Sequence, residues 1–370
     1  MSQESQSYFP PPESKSGWRT SKEADQARAL AGMELEKLIP ARAWNEQFLV
    51  PSGVVILRRG YLVAEWYAQG ARPDTLFNIY SCTKSFTGTA YGLLFEDSRQ
   101  GRPNVPPGID LDTLAYPHIP AGYPLSDPRK ERISLRHLLS MSSGIPGESI
   151  GIFGTRTDPG VNPFEAALGR FPLQGRENPG PFWADRLAGE PGSVWDYSDP
   201  AFAHLALAFQ NLAGQEISDF MRARVFDPIG LEAFDWDTLG LEDGRIGVHT
   251  MPMGGLHLTA REMARFGYLM LRGGNWQGQS LVAPWWTALA TRSSQASNPN
   301  YGLTWWLNSA GLWPDVPRDA FAAMGYNTNL CCVIPSLDLV VVRLGLGPTE
   351  STEFIAAPFL GAVVQAVVSG

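Results

Sequence analysis

The sequence predicts an α+β chain, with one sheet assembled from its two ends and a mainly helical stretch between them. Two observations carry this expectation. Short apolar runs rich in β-branched residues fall near 53–67 and again across 321–344, close to the two termini. Between them, helical periodicities alternate with Pro- and Gly-rich links. At 370 residues, 44% hydrophobic and 18% charged, the chain has ample material for a core.

In chain order, residues 1–20 are rich in Ser, Gln, Glu and Pro and read as a flexible lead-in. Ser21 is placed to cap an amphipathic helix reaching about Leu38, with Ala27, Leu30, Met33 and Leu38 near one stripe. Gly53–Leu57 and Tyr61–Tyr67 are apolar runs joined by Arg58-Arg59-Gly60, a hairpin signal. Ser81 then opens a helix that continues through Phe95. From Ser98 to about Gly192 Pro and Gly dominate, and the clearest helix there is Ser134–Ser140. Further helices are expected over Ala201–Leu212 and Ile217–Val225. Another, over Ala260–Leu271, is capped by Thr259 and stopped by Gly273-Gly274. Phe321–Met324, Leu330–Ile334 and Leu339–Leu344 read as consecutive strands, and a closing helix runs from about Glu350 to Val368.

Composition excludes several functions. Net charge is −8 with pI near 5.2, and no basic cluster interleaves with aromatics, so nucleic acid and anionic membrane surfaces are not expected partners. Cys82, Cys331 and Cys332 are an odd set with no disulfide spacing. No leader with an apolar core is visible, which points to the cytoplasm, although a trimmed chain would fit the periplasm or exterior equally. No apolar run is long enough to span a membrane. The histidines, His118, His137, His204, His249 and His257, show no ligand spacing, so neither metal nor cofactor is expected. Of these, His249 and His257 flank Gly254-Gly255, a loop that could touch substrate.

The stretch that organises the rest is Ser81-Cys82-Thr83-Lys84. At i and i+3 of a helix the hydroxyl and the amine share a face, where they can act as a nucleophile and its base. A lysine can lose its proton when burial and neighbours favour the neutral amine, whereas an arginine in practice cannot. Among 29 Lys and Arg residues only Lys15, Lys22, Lys37, Lys84 and Lys130 are lysines. The plain alternative is a helix N-cap beside a solvated lysine.

The ordered set of motifs decides between these readings. After Ser81-x-x-Lys84 come Leu135-Arg136-His137-Leu138-Leu139-Ser140-Met141-Ser142-Ser143-Gly144 and then Tyr197-Ser198-Asp199. Gly254-Gly255-Leu256-His257-Leu258-Thr259 and the terminal strands follow. This order resembles the serine β-lactamase superfamily, nearest its class C-like branch of β-lactamases, D-aminopeptidases, family VIII esterases and 6-aminohexanoate-dimer hydrolases. The resemblance covers roughly residues 30–365. It implies the β-lactamase/transpeptidase-like fold, an antiparallel sheet flanked by helices, and acyl transfer through a covalent seryl ester. On that basis residues 21–370 form a single catalytic unit. Its α/β subdomain covers about 21–80 and 300–370, and its mainly helical subdomain about 81–299. Ser81 is the expected nucleophile, Lys84 its activating partner and Tyr197 the second proton-transfer group.

The sequence departs from the family pattern twice. Asp199 stands where Asn is usual, and would either repel a substrate carboxylate or hold Lys84 protonated and in place. The strand motif, usually Lys-Thr-Gly or His-x-Gly, is matched by Gly325-Tyr326-Asn327-Thr328-Asn329, which has no cation. Penicillin-type substrates carry a carboxylate that favours a cation there, so neutral esters or small amides are the expected substrates. Tyr326, Asn327, Asn329 and Asp199 are candidate substrate-binding residues, with Trp305 or Trp306 as a wall of an acyl pocket. A 6-aminohexanoate-oligomer-type amidase or D-aminopeptidase ranks next, then a true β-lactamase. A non-catalytic penicillin-sensor-like binding module is the reading from another class. Gly147-Glu148-Ser149-Ile150-Gly151 matches the G-x-S-x-G elbow but lacks the strand before it and the helix after it. Substrate identity and oligomeric state are left open.

Overall fold

The computed structural model describes residues 8–147, 186–240, 247–347 and 356–368. Helix α1 (Ile39–Glu46) leads into β1 (Ser52–Arg58) and β2 (Tyr61–Ala68), and α2 (Thr83–Arg99) follows. The middle contributes α3 (Leu135–Leu139), α4 (Asp199–Ala213) and α5 (Ala260–Leu271). Strands β3 (Trp306–Leu307), β4 (Phe321–Gly325), β5 (Asn329–Ile334) and β6 (Leu339–Gly345) precede α6 (Gly361–Gln365).

The six strands make one antiparallel sheet in the order β3-β4-β5-β6-β1-β2, so the N-terminal hairpin is zipped onto the C-terminal strands through β1 and β6. Val55 lies opposite Val342 on one side and Glu65 on the other. Strand periodicity sends alternate side chains to opposite faces. Val54 and Ile56 enter a core with Ala41, Trp44, Phe359 and Val363 from the terminal helices. Val55 and Leu57 enter a larger core with Phe86, Met263 and Phe266. Because helices cover both faces, the strands are apolar runs and not alternating ones.

Three expectations change. The helix over 21–38 is broken into short pieces, Ala24–Gln26, Ala27–Ala31 and Leu35–Leu38. Gly32 ends the first part at φ +64, a conformation costly to residues with a Cβ. Ser21 does not cap; its N–H donates to Leu62 O at 3.0 Å, tying the segment to the edge strand β2. The lead-in is packed from Tyr8 onward: Phe9 meets Tyr268 and Trp276, Trp18 is buried, and Arg265 donates to Pro10 O and Pro11 O. Aromatic residues scattered among the polar ones outweigh the composition. The middle also holds a second sheet, of Phe77–Asn78, Leu256–Leu258 and Phe234–Trp236, too short to carry a sequence signal.

Candidate active site

That small sheet positions the motif serine. Asn78 pairs with His257, and Ile79 N–H donates to Leu256 O at 2.9 Å. The Asn78 side chain accepts the Tyr80 N–H at 2.8 Å, and Tyr80 takes φ +49. A left-handed non-glycine residue stores local strain of a kind that gathers at functional sites. Tyr80–Cys82 form one tight turn, and α2 runs on from Thr83. Ser81 therefore sits half-buried at the helix entry, with Lys84 one turn in and 1% exposed.

Three oxygens converge on the Lys84 Nζ. It donates to Ser81 Oγ at 2.8 Å and to the Met253 carbonyl at 3.0 Å, and it pairs with Asp199 Oδ1 at 2.5 Å. The first two are hydrogen bonds, and the third is an ion-pair contact with the Asp199 carboxylate. A buried ammonium without such partners would be costly.

Helix α4 brings the second motif to the same place. Ser198 is its N-cap, with Oγ accepting the Ala201 N–H at 3.1 Å, so Asp199 becomes the first helical residue and Tyr197 lies just outside. An acidic side chain is favoured in a first helical turn. The Tyr197 ring centroid is 4.7 Å from Lys84 Nζ. Of the two readings of Asp199, the geometry supports the second: its carboxylate holds the lysine.

The end of β4 closes the site. Gly325 lies so near the serine turn that an ideal Cβ would fall 2.3 Å from Ile79 O and 3.1 Å from the amide nitrogens of Ser81 and Cys82. Beyond it Asn327 and Thr328 take φ +63 and +61. The Asn329 side chain braces this turn, donating to Tyr326 O at 2.6 Å and accepting the Gly345 N–H at 2.9 Å.

The structure thus brings Ser81, Lys84, Tyr197 and Asp199 together. Tyr326 also borders this region, its ring edge-on to Tyr80 with centroids 5.6 Å apart. Asn327 is buried, with its carbonyl engaged by Arg343. Asn329 is fully buried and occupied by backbone, so it supports the turn and does not face a substrate. Trp305 is also corrected: it is buried in the core between Phe266 and Phe321. Its neighbour Trp306, the first residue of β3, instead stacks on Tyr197 at 6.0 Å, with Trp195 and Tyr301 around the pair.

Met253 joins the site without a signal of its own, because a backbone carbonyl leaves little trace in one sequence, whereas Gly325 opens the segment already matched to the strand motif. The two flanking histidines pair with acids, His249 with Glu216 at 2.9 Å and His257 with Asp237 at 3.2 Å. Ser149 lies outside the described residues. Among the described residues no cluster of His, Cys, Asp or Glu could hold a metal ion, and no helix is long and apolar enough to cross a membrane.

A family model described as Beta-lactamase matches residues 43–364. The chain belongs to the β-lactamase family. Its fold is the β-lactamase/transpeptidase-like one. Among solved structures, a Bacillus anthracis protein named as a candidate 6-aminohexanoate-dimer hydrolase superposes with TM-score 0.67 at 21% identity, covering 96% of this chain and 88% of its own. EstCE1, a hydrolase with promiscuous acyltransferase activity, gives 0.65 at 17%, covering 90% and 98%. A D-stereospecific amidohydrolase from Streptomyces gives 0.58 at 19%, covering 87% and 99%. Protein flp of Staphylococcus aureus (strain MW2) is 25% identical over 186 residues, 50% of this chain and 33% of its own length. The chain therefore aligns with about a third of that curated relative.

Proposed function

We propose that this family member is a serine hydrolase that cleaves a neutral ester or a small amide through an acyl-enzyme on Ser81. The observation that carries the reading is the 2.8 Å contact from Lys84 Nζ to Ser81 Oγ, within a lysine environment completed by Asp199 and Tyr197.

The chemistry follows from that arrangement. The Ser81 hydroxyl attacks the substrate carbonyl while its proton passes to the Lys84–Tyr197 pair. A cation beside a phenol stabilises the phenolate, which is what a tyrosine needs to relay a proton. The proton then moves to the leaving alcohol or amine as the carbon–leaving-group bond breaks. Water repeats the sequence on the seryl ester, releasing the acid and restoring Ser81. Backbone N–H groups at the Ser81 turn and near the end of β4 are the natural donors to the developing oxyanion.

Neutral substrates fit best because the strand turn has no cation on its side chains. Tyr326, Asn327 and Thr328 stand there, while the nearby Arg343 is engaged by an asparagine side chain and backbone carbonyls. Asp199 and Lys84 neutralise each other, leaving no free positive charge between them for a substrate carboxylate.

The test is labelling with a fluorophosphonate, followed by mapping of the adduct by mass spectrometry. An adduct on Ser81 is expected, together with a loss of ester hydrolysis in Ser81→Ala on the order of 10⁶-fold. An adduct on Ser149, or none, would sink the assignment. A panel of a short-chain ester, a cephalosporin, a D-alanyl amide and an aminohexanoate dimer then ranks the substrates, with the neutral ester expected first.

A further inference from the structure

Arg343 lies within β6, between Val54 of β1 and Leu330 of β5, and is 1% exposed. Burial lowers its ordinary guanidinium value to about 10. Its donors all go to uncharged oxygens: Nε to Asn45 Oδ1 at 3.1 Å, Nη1 to Asn327 O at 2.7 Å and Gly345 O at 3.0 Å, and Nη2 to Leu346 O. No carboxylate among the described residues pairs with it. The neighbours along the strand are Val340, Val341, Val342 and Leu344, so an aliphatic residue would avoid this desolvation.

One of these carbonyls identifies its task. Asn327 O belongs to the peptide joining two left-handed residues, Asn327 at φ +63 and Thr328 at φ +61. A β-branched residue is a poor fit to that region and would relax by rotating its peptides. Two clamps oppose this. Arg343 grips Asn327 O, and the Asn329 amide grips Tyr326 O at 2.6 Å. In a planar trans peptide the N–H points opposite to the C=O, so fixing Asn327 O also fixes the Thr328 N–H. The same turn begins at Gly325, whose backbone lies against Ile79, Ser81 and Cys82.

We propose that Arg343 is a positioning residue for the reaction at Ser81, holding the strained Tyr326–Asn329 turn in the conformation that completes the oxyanion-binding side of the site. It places behind the turn the positive charge that this family usually carries in front of it on a side chain. Close to a hydrogen-bonded peptide, such a charge also strengthens the donor at the other end. This inference rests on the acyl-enzyme reading of Ser81.

The experiment compares wild type with Arg343→Met and Arg343→Lys, using a p-nitrophenyl ester and the rate of fluorophosphonate labelling. In folded Arg343→Met, kcat and the labelling rate should fall together by about 10²-fold, while KM stays within about threefold. Arg343→Lys keeps the charge but loses the fork that spans Asn327 O and Leu346 O, and should fall by about tenfold. Wild-type kcat and labelling rate in either folded variant, with only the melting temperature lowered, would overturn the proposal. Should Arg343→Met not fold, Arg343→Lys alone decides. Failure of the wild-type enzyme to label at Ser81 would instead overturn the catalytic reading.

Discussion

Gly325→Ala adds one methyl group at the closest backbone approach in the site. That carbon would lie 2.3 Å from Ile79 O and 3.1 Å from the Ser81 and Cys82 nitrogens. An ordinary carbon–oxygen contact is about 3.3–3.6 Å, so the strand end and the serine turn must separate by about 1 Å. Gly325 is at φ −139, an extended conformation open to any residue, so the effect is purely steric. Its pairing with Asn329 across the β4–β5 hairpin resists a local escape. Overpacking of this kind costs about 1–3 kcal/mol of stability. The rate should suffer more, because a misplacement of about 1 Å costs about 10²-fold and loss of an oxyanion donor about 10²–10³-fold. Gly325→Ala is therefore expected to stay folded by circular dichroism, melt a few degrees lower, and lose about 10²–10³-fold in kcat/KM on a p-nitrophenyl ester. The active fraction is to be titrated with fluorophosphonate. A folded variant within about threefold of wild-type kcat/KM would refute the claim that this approach sets the oxyanion geometry.

Asp199→Asn keeps an acceptor for Lys84 but removes the counter-charge 2.5 Å away. The kcat/KM ratio of a carboxylate-bearing cephalosporin to a neutral ester should then rise by about tenfold, and an unchanged ratio would show that Asp199 does not disfavour anions. Glu65 gives a stability prediction. Burial pushes its carboxyl up, but hydrogen bonds from Arg261 and Lys22 outweigh this and hold it at about 2. A folded-state value below the unfolded one of about 4.3 means stability that is complete above that pH and is lost as pH falls toward 2. Urea unfolding at pH 5 and pH 3 should show a loss on the order of 2 kcal/mol that is absent in Glu65→Gln, with Lys22 largely exposed and discounted. Equal losses in both proteins would assign the acid sensitivity to other groups.

Much of the site is legible in the sequence, for reasons particular to its residues. Ser81 and Lys84 are three apart on one helix, so local geometry alone brings them together. Tyr197 and Asp199 flank Ser198, an N-cap whose role is suggested by its place before an apolar helix. The long strands can be read because helices cover both faces of the sheet, making β1 and β6 unbroken β-branched runs. The Ala24–Leu38 region misleads because its apolar spacing fits a helix while Gly32 interrupts it.

What the amino-acid order determined by itself is therefore the chemistry close along the chain: a serine with its lysine, a capped tyrosine turn, and strands at both ends. The tertiary structure decided everything that depends on distant segments meeting. It placed the Met253 carbonyl and Asp199 on Lys84, turned Trp306 and not Trp305 toward Tyr197, and set Arg343 behind the turn at Asn327. Those outcomes depend on sheet register and on which way each peptide faces. Neither is set by neighbours in sequence, because both follow from how the two chain ends pack into one sheet.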